Sequence, residues 1–226
     1  MTKIRFFSAV LIGWLLICPV QAASSLKVYG FSTEFKEPSL QYSCSYPRIT
    51  GIDNNQMQQR VNVMIREKAE TSVQTAQYIS KKLNGAVKVS GKFHYQLKRN
   101  ENGILSLVLQ DSLFTGNERG IQQQTGVTLN TVNGRIYKLR SLFVEHADYV
   151  GVISDEIHRQ ISQKGLKNQQ LESFKKIRND ENFYLTSDSL VVFFDQYQYG
   201  NSDIREFSIP LNSLNGMLKP EFRLLT

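Results

Sequence analysis

The chain has 226 residues, of which 41% are hydrophobic and 21% are charged, and its formal net charge is +7. A chain of this length can bury an apolar core without disulfide support. It holds only two cysteines, Cys18 and Cys44, which excludes a scaffold built on several disulfides.

Residues 1–22 have the pattern of a secretory signal peptide. Lys3 and Arg5 form a basic start, residues 6–17 form an apolar run, and small residues end the segment at Ala22. The run has about a dozen residues, whereas a membrane-spanning helix needs about twenty. We therefore expect cleavage, and retention of the segment as an anchor is the alternative.

The two cysteines are interpreted as structural residues. Lipid modification of Cys18 is rejected, because lipoprotein peptidases require a small residue where Ile17 stands. Cleavage after Ala22 would remove two basic residues, lower the net charge from +7 to +5 and leave Cys44 alone. The alternating residues around Cys44 predict a buried small hydrophobe, with a reactive thiol as the alternative.

The chain then predicts two strands and a long helix. Residues 27–35 and 39–49 have the alternation and the β-forming residues of strands. Asp53 or Asn54 is placed to cap a helix that ends at Gly85. Apolar residues recur in this helix at steps of three and four, as on a core-facing surface: Met57, Val61, Met64, Ile65, Ala69, Ala76, Ile79 and Leu83.

A strand meander follows the helix. Residues 87–98 and 104–114 form two strands around a turn at residues 100–103. A strand period of two places three leucines of the second strand on one face: Leu105, Leu107 and Leu109. Residues 121–132 predict a third strand, and the Asn-Gly pair at 133–134 predicts a hairpin into residues 135–139.

The C-terminal half predicts helices followed by strands. Ser141 is placed to cap a short helical turn, and residues 147–163 form a helix. Its inward residues are Val150, Ile153, Ile157 and Ile161. A further short helix is predicted over residues 171–178. Three strands complete the chain. The first covers residues 183–185, the second follows a turn at 187–189, and the third ends at Pro210.

Strands on both sides of helices, without regular alternation of the two, indicate an α+β fold. We expect mostly antiparallel sheets packed against the long N-terminal helix and a second helix in the C-terminal half. The predicted organisation is a signal peptide over residues 1–22, an N-terminal module over 23–115 and a C-terminal module over 116–226.

Two segments carry a resemblance to a known family. Residues 183–185 (Phe-Tyr-Leu), a turn, an apolar strand ending in the aromatic stretch 197–200 and a closing Ile-Pro form one pattern. Residues 46–51 (Tyr-Pro-Arg-Ile-Thr-Gly) and the helix after them form the other. Together they resemble the extracytoplasmic region of RsiV-type lysozyme-sensing anti-sigma factors. The first module is shared with PdaC-type peptidoglycan deacetylases, and the second is an RsiV-type domain of unknown function.

The chain departs from that family at two places. Family members commonly carry Gly-Gly-Ala-His-Gly where residues 116–120 read Gly-Asn-Glu-Arg-Gly. Glu118 and Arg119 replace the alanine and the histidine, so no role of that histidine is carried over. No cytoplasmic sigma-binding segment precedes the apolar run, so we expect no direct anti-sigma activity.

Familiar catalytic and metal-binding motifs are missing from the sequence, including the His-Glu-x-x-His helix, the Gly-x-Ser-x-Gly elbow and the Walker and calcium loops. Asp155 and His158 share a helix face, where a surface ion pair is preferred over an acid–base or metal pair. Asp188 and Asp195 flank a strand, but Asp188 occupies a predicted turn. We therefore predict no catalytic residues, no metal and no cofactor.

The predicted binding residues are mostly aromatic. Strand alternation sends Phe193 and Phe194 to opposite faces of a sheet, and Tyr197 and Tyr199 share one face of a loop. Exposed tyrosines suit recognition, with plain packing as the alternative. The predicted binding set is Tyr197, Tyr199, Phe194, Glu118 and Arg119.

These patterns predict an exported, non-catalytic binding module of a bacterial envelope, periplasmic or at the cell surface, that recognises a protein or a cell-wall glycan. The resemblance implies lysozyme as a partner, although a basic chain repels a basic enzyme. We expect no nucleic-acid partner and no transmembrane span after cleavage. The alternative is a peptidoglycan-modifying hydrolase or accessory domain with an unrecognised site.

Overall fold

The computed structural model describes residues 26–116, 120–164, 171, 173–200 and 205–223. The predicted signal peptide, Cys18, Glu118 and Arg119 lie outside these residues. Within the described ranges, neither helix combines the length and the apolarity that a membrane crossing requires.

Two sheets and two helices form the α+β fold that the sequence predicts. The first sheet contains five strands in chain order: β1 (Lys27–Glu37), β2 (Leu40–Thr50), β3 (Val89–Glu101), β4 (Ile104–Thr115) and β5 (Ile121–Asn130). Neighbouring strands are antiparallel except β2 and β3, which are parallel. Helix α1 (Asn55–Lys82) makes the crossover between those two strands, as a parallel pair requires.

Helix α1 begins at a side-chain cap. The Asn54 side chain accepts a hydrogen bond from the backbone N–H of Met57 at 3.0 Å. Only part of the predicted apolar stripe is buried, because α1 packs mainly on β2 and β3. Four stripe residues are fully buried: Val61, Ile65, Ala69 and Ala76.

The core beneath α1 contains the leucine triplet of β4. Leu105, Leu107 and Leu109 are buried in one cluster with residues of α1, which confirms the predicted strand period. Cys44 is buried in the same cluster, as predicted. Burial raises the pKa of its thiol from an ordinary 9.0 to about 11, which keeps the thiol protonated near neutral pH.

The second sheet is smaller and antiparallel. Its strands are β6 (Phe183–Leu185), β7 (Ser189–Phe194) and β8 (Arg205–Pro210). Helix α2 (Tyr149–Gln163) begins at Asp148, whose side chain caps Gly151, and packs on this sheet. Its inward residues are Ile153, Ile157 and Ile161, while Val150 is only half-buried.

One predicted element is shorter than expected and another is wrong. The hairpin after β5 is short: the N–H of Asn130 donates to the carbonyl oxygen of Arg135 at 3.0 Å, and Leu129 and Ile136 form a single bridge. A 3-10 turn follows at Leu139–Leu142. The helix predicted over residues 171–178 is absent from the described part of that segment. Its apolar side chains are buried, and the N–H of Ile177 donates to Ser154 Oγ of α2 at 3.1 Å.

The second sheet lies on the face of the first sheet opposite α1. The backbone N–H of Leu185 donates to Ser106 Oγ, and a Cβ at Gly126 would meet the Phe183 carbonyl oxygen at 1.8 Å. Four buried side chains fill the interface: Val108, Tyr184, Val191 and Phe193. The boundary predicted at residue 116 falls between β4 and β5 of one sheet. We therefore propose that the C-terminal module begins after Asn130.

Candidate functional site

The predicted aromatic residues occupy different environments. Tyr197 is 51% exposed and has a positive φ of 66° in the turn after β7. Tyr199 packs inward, with its ring centroid 4.6 Å from that of Phe194. Phe194 itself is buried, so it supports Tyr199 and offers no surface to a ligand. Phe193 points to the other face, as predicted, and fills the interface between the sheets.

A buried carboxylate holds this loop in place. Glu181 is 2% exposed and accepts hydrogen bonds from Arg178, Gln198 and the hydroxyl of Tyr199. Burial alone would raise the pKa of Glu181, but the hydrogen bonds from Arg178 and Gln198 outweigh it and hold the pKa below its ordinary value. Tyr199 therefore anchors the loop, and Tyr197 stays exposed on it.

The loop is also fixed to the first sheet. The Gln196 side chain accepts from the N–H of Gln122 at 2.8 Å and donates to the carbonyl oxygen of Gly120 at 3.0 Å. Gly120 directly follows Glu118 and Arg119 in the sequence, and those two residues lie outside the described part of the chain. Gln196, which no sequence pattern marked, thus connects the loop of Tyr197 to the described residue next to Glu118 and Arg119.

An open polar groove lies beside this junction. Beside the second sheet, side chains of β3, β4 and β5 form the floor of a groove of about 500 Å³. We call it the inter-sheet groove. Its lining residues are Gln96, Lys98, Gln110, Gln122, Gln124, Lys164, Arg205, Glu206 and Phe207.

Hydrogen bonds order the carboxamides of the groove. Gln110 Nε2 donates to Gln124 Oε1 at 2.9 Å, and Gln124 Nε2 donates to Glu206 Oε1 at 2.7 Å. The other carboxylate oxygen of Glu206 accepts from the hydroxyl of Tyr184 at 3.2 Å. Because Gln124 and Tyr184 are buried, this chain of bonds fixes the floor before any ligand arrives.

Cationic side chains surround that floor. Lys98 Nζ lies 4.7 Å from the ring centroid of Tyr184, and Lys164 Nζ lies 5.6 Å from that of Phe207. With Arg205, the described lining contains three cations against one carboxylate, Glu206. The groove is therefore polar and positively charged, and it suits a hydrophilic, anionic ligand.

A second polar cluster lies on the opposite face of the first sheet, under α1. The carboxylate of Asp111 accepts hydrogen bonds from the hydroxyls of Tyr42 and Ser72, the former at 2.7 Å. Burial, helped by Asp111, raises the pKa of Tyr42 well above its ordinary value. Since Asp111 already accepts from two hydroxyls, the cluster satisfies buried polar groups and fits a structural role.

The other predicted polar pairs have structural partners. His158 Nε2 bonds with the carbonyl oxygen of Lys175 at 2.8 Å, so the predicted ion pair with Asp155 is wrong. Asp188 lies in the predicted turn and accepts from Thr186 Oγ1 at 2.8 Å. Among the described residues, no group of three or more histidine, cysteine or acidic side chains is arranged to hold a metal ion.

Comparison with known proteins confirms the resemblance found in the sequence. Residues 33–121 match the family model described as Deacetylase PdaC, and residues 140–212 match a protein family of unknown function, DUF3298. The chain is 27% identical over 222 residues to the anti-sigma-V factor RsiV of Bacillus subtilis, across 89% of this chain and 76% of that protein.

Solved structures show the same fold. A DUF3298 family member from Bacteroides fragilis has a TM-score of 0.65 at 13% identity, and the match covers 88% of this chain and 96% of that one. A DUF3298 family protein from Pseudomonas aeruginosa PAO1 has a TM-score of 0.62 at 13% identity, covering 89% and 97%.

Proposed function

We propose that this chain, which joins a PdaC-like module to a DUF3298 module, is an exported, non-catalytic binding protein of a bacterial envelope. We further propose that its ligand is an anionic cell-wall glycan, held in the inter-sheet groove. The likeness to RsiV, an anti-sigma factor, supports a sensing or binding role outside the cytoplasm, and the signal-peptide pattern of residues 1–22 supports export.

The observation that carries the glycan proposal is the chemistry of the groove lining. Four glutamine carboxamides and three cations meet on one open floor. A carboxamide both donates and accepts, so it matches the hydroxyl and acetamido groups of amino sugars. The cations complement the carboxylates of peptidoglycan stem peptides. Phe207 is the only apolar side chain of the described lining, and such a surface does not suit a lipid or an apolar peptide.

The lining also argues against a glycosidase. Hydrolysis of a glycosidic bond in most such enzymes uses two carboxyl groups that face each other across the cleft. The described lining has one, Glu206, and both of its oxygens accept hydrogen bonds. A peptidoglycan-modifying hydrolase or deacetylase remains the second candidate, because residues 33–121 match the model described as Deacetylase PdaC.

A protein ligand would use the rim of the groove. Exposed Tyr197 follows Gln196, which bonds to groove residue Gln122 and to Gly120, and Glu118 and Arg119 immediately precede Gly120 in the sequence. We propose that these residues extend the contact surface. The resemblance implies lysozyme as the protein ligand, but the net positive charge of this chain opposes association with a basic enzyme.

Co-sedimentation of the exported chain with purified insoluble peptidoglycan tests the proposal. We expect the protein to sediment, and the double reversal Lys98→Glu and Lys164→Glu to weaken binding at least tenfold. The control reverses two exposed lysines of α1, on the opposite face of the first sheet, Lys68→Glu and Lys81→Glu, and should sediment like the unaltered protein. Protein that stays in the supernatant would refute the proposal. Released or deacetylated muropeptides would favour the hydrolase candidate.

A further inference from the structure

Strand β1 is an open edge of the first sheet. It pairs with β2 along all 11 of its residues, and no described strand pairs with its other side. Large side chains stand exposed along it, with Tyr29 at 49% and Phe31 at 45% exposure. Such a row of unpaired backbone donors and acceptors is a template for another strand.

Two usual protections of an edge strand, proline and a β-bulge, are missing from β1, whose charged residues are Lys27, Glu34, Lys36 and Glu37. It contains no proline, and its register with β2 runs without a bulge from Lys27 to Glu37. Gly30 of β1 does not mark a bulge, and its lack of a side chain makes room for Tyr95, whose hydroxyl a Cβ would meet at 2.9 Å. The edge is therefore long, regular and able to pair.

The charges of β1 complement those of a second β1 in the antiparallel direction. With Ser32 opposite Ser32, Lys27 of one copy faces Glu37 of the other, and this ion pair occurs twice. The same register sets Tyr29 opposite Phe35, also twice. A shift by one residue sets Lys27 opposite Lys36 and sends every side chain to the other face.

We propose that two copies of this chain associate through their β1 edges, with Ser32 at the twofold axis, and form one continuous ten-stranded sheet. The interface is isologous, as in most homodimers. It does not rest on the proposed function, since the inter-sheet groove is built from β3, β4, β5, β8 and the end of α2. A dimer would present two grooves, which favours a polymeric ligand by avidity.

Cysteine cross-linking tests the axis. Opposed Cα atoms of an antiparallel pair lie about 4.5–5.5 Å apart, within the range that a disulfide spans. We expect Ser32→Cys to form a reducible covalent dimer under mild oxidation. Ser43→Cys, exposed on the neighbouring interior strand, is the matched control and should form no covalent dimer. A Ser32→Cys protein that forms no dimer, together with a concentration-independent monomer mass for the unaltered chain, would overturn the proposal.

Charge reversal tests the register. Glu37→Lys places Lys27 opposite a lysine twice, and we expect the dimer dissociation constant to rise about tenfold. The swap Lys27→Glu with Glu37→Lys restores both pairs and should restore the constant, as measured by sedimentation equilibrium. Equal constants for the single reversal and the unaltered chain would refute this register.

Discussion

The backbone N–H of Leu185, in the first strand of the second sheet, donates a 2.9 Å hydrogen bond to the hydroxyl of Ser106 in the first sheet. The same hydroxyl bonds with that of Thr128 at 2.7 Å, and both side chains are fully buried. Ser106 is thus one of the residues that connect the two halves of the chain. The inter-sheet groove lies beside the second sheet.

We predict that Ser106→Ala lowers the free energy of unfolding by about 1–3 kcal/mol, because the buried N–H of Leu185 loses its acceptor. Urea unfolding followed by circular dichroism measures the change. Ser43→Ala, on an exposed position of β2, should change stability by no more than about 0.5 kcal/mol. Similar values for both variants would show that the bond to Leu185 does not join the sheets.

Gly126 tests the contact between the sheets in a second way. A Cβ there would lie 1.8 Å from the carbonyl oxygen of Phe183, so the backbones must separate. We expect Gly126→Ala to cost about 3 kcal/mol, at the upper end for an overpacked core. Gly216→Ala is the control, because its Cβ would meet nothing within 4 Å. Equal unfolding midpoints for the two variants would contradict the close approach of the sheets.

Buried Tyr42 predicts a loss of stability in alkali. Burial raises its pKa well above the ordinary value of about 10, so the folded state favours the neutral phenol. The stabilisation is complete below about pH 10 and falls as the pH rises, by up to about 1.4 kcal/mol per pH unit for this group. Unfolding should be measured at pH 8 and pH 11.

The matched variants compare a buried with an exposed tyrosine. Tyr42→Phe should be less stable at pH 8, because Asp111 and Ser72 lose a partner, but should lose less stability between pH 8 and pH 11. Tyr78→Phe, at a residue 62% exposed, should keep the full dependence. An unchanged slope in Tyr42→Phe would be inconsistent with this explanation.

Glu181 predicts the opposite dependence, at acid pH. Its pKa in the folded state is lowered, since hydrogen bonds from Arg178 and Gln198 outweigh the effect of burial. The stabilisation is present above the ordinary carboxyl pKa and is lost as the pH falls through the lower folded value. We expect Glu181→Gln to cost about 2 kcal/mol at pH 7 and much less at pH 3.

Asp195 works against this trend. Burial raises the pKa of Asp195, so its ionisation destabilises the fold as the pH rises. Removing the charge by Asp195→Asn should therefore move the pH dependence in the direction opposite to Glu181→Gln. Thermal unfolding of both variants across pH 3–7 separates the two groups, and parallel shifts would contradict the assignment.

Local patterns were sufficient to predict much of the fold. The leucine triplet of β4 shows a strand period, and Asn54 with the stripe on α1 shows a capped helix, because both signals depend on neighbours in the sequence. The segment around Phe174 and Ile177 was predicted as a helix and is not one. Its backbone bonds to α2, and sequence spacing does not reveal that contact.

The groove could not be predicted, because it depends on contacts between distant segments. Gln122 and Gln124 lie in a run of three glutamines at 122–124, so the sequence does not show which of them share a face. Only the packing of β8 brings Arg205 and Glu206 beside these glutamines. The predicted aromatic cluster mainly reflects packing and not ligand binding, since Phe194 and most of Tyr199 support the loop from inside.

Nuclear magnetic resonance of the glutamine side chains tests the proposed ligand site most directly. The side-chain amide signals of Gln110, Gln122 and Gln124 should shift saturably as a soluble anionic muropeptide is added to the protein. Gln41 of β2, whose side-chain oxygen accepts a hydrogen bond from Lys88, is the control, and its side-chain amide signal should not shift. Unchanged groove signals at saturating muropeptide, or shifts confined to residues outside the groove, would contradict the site.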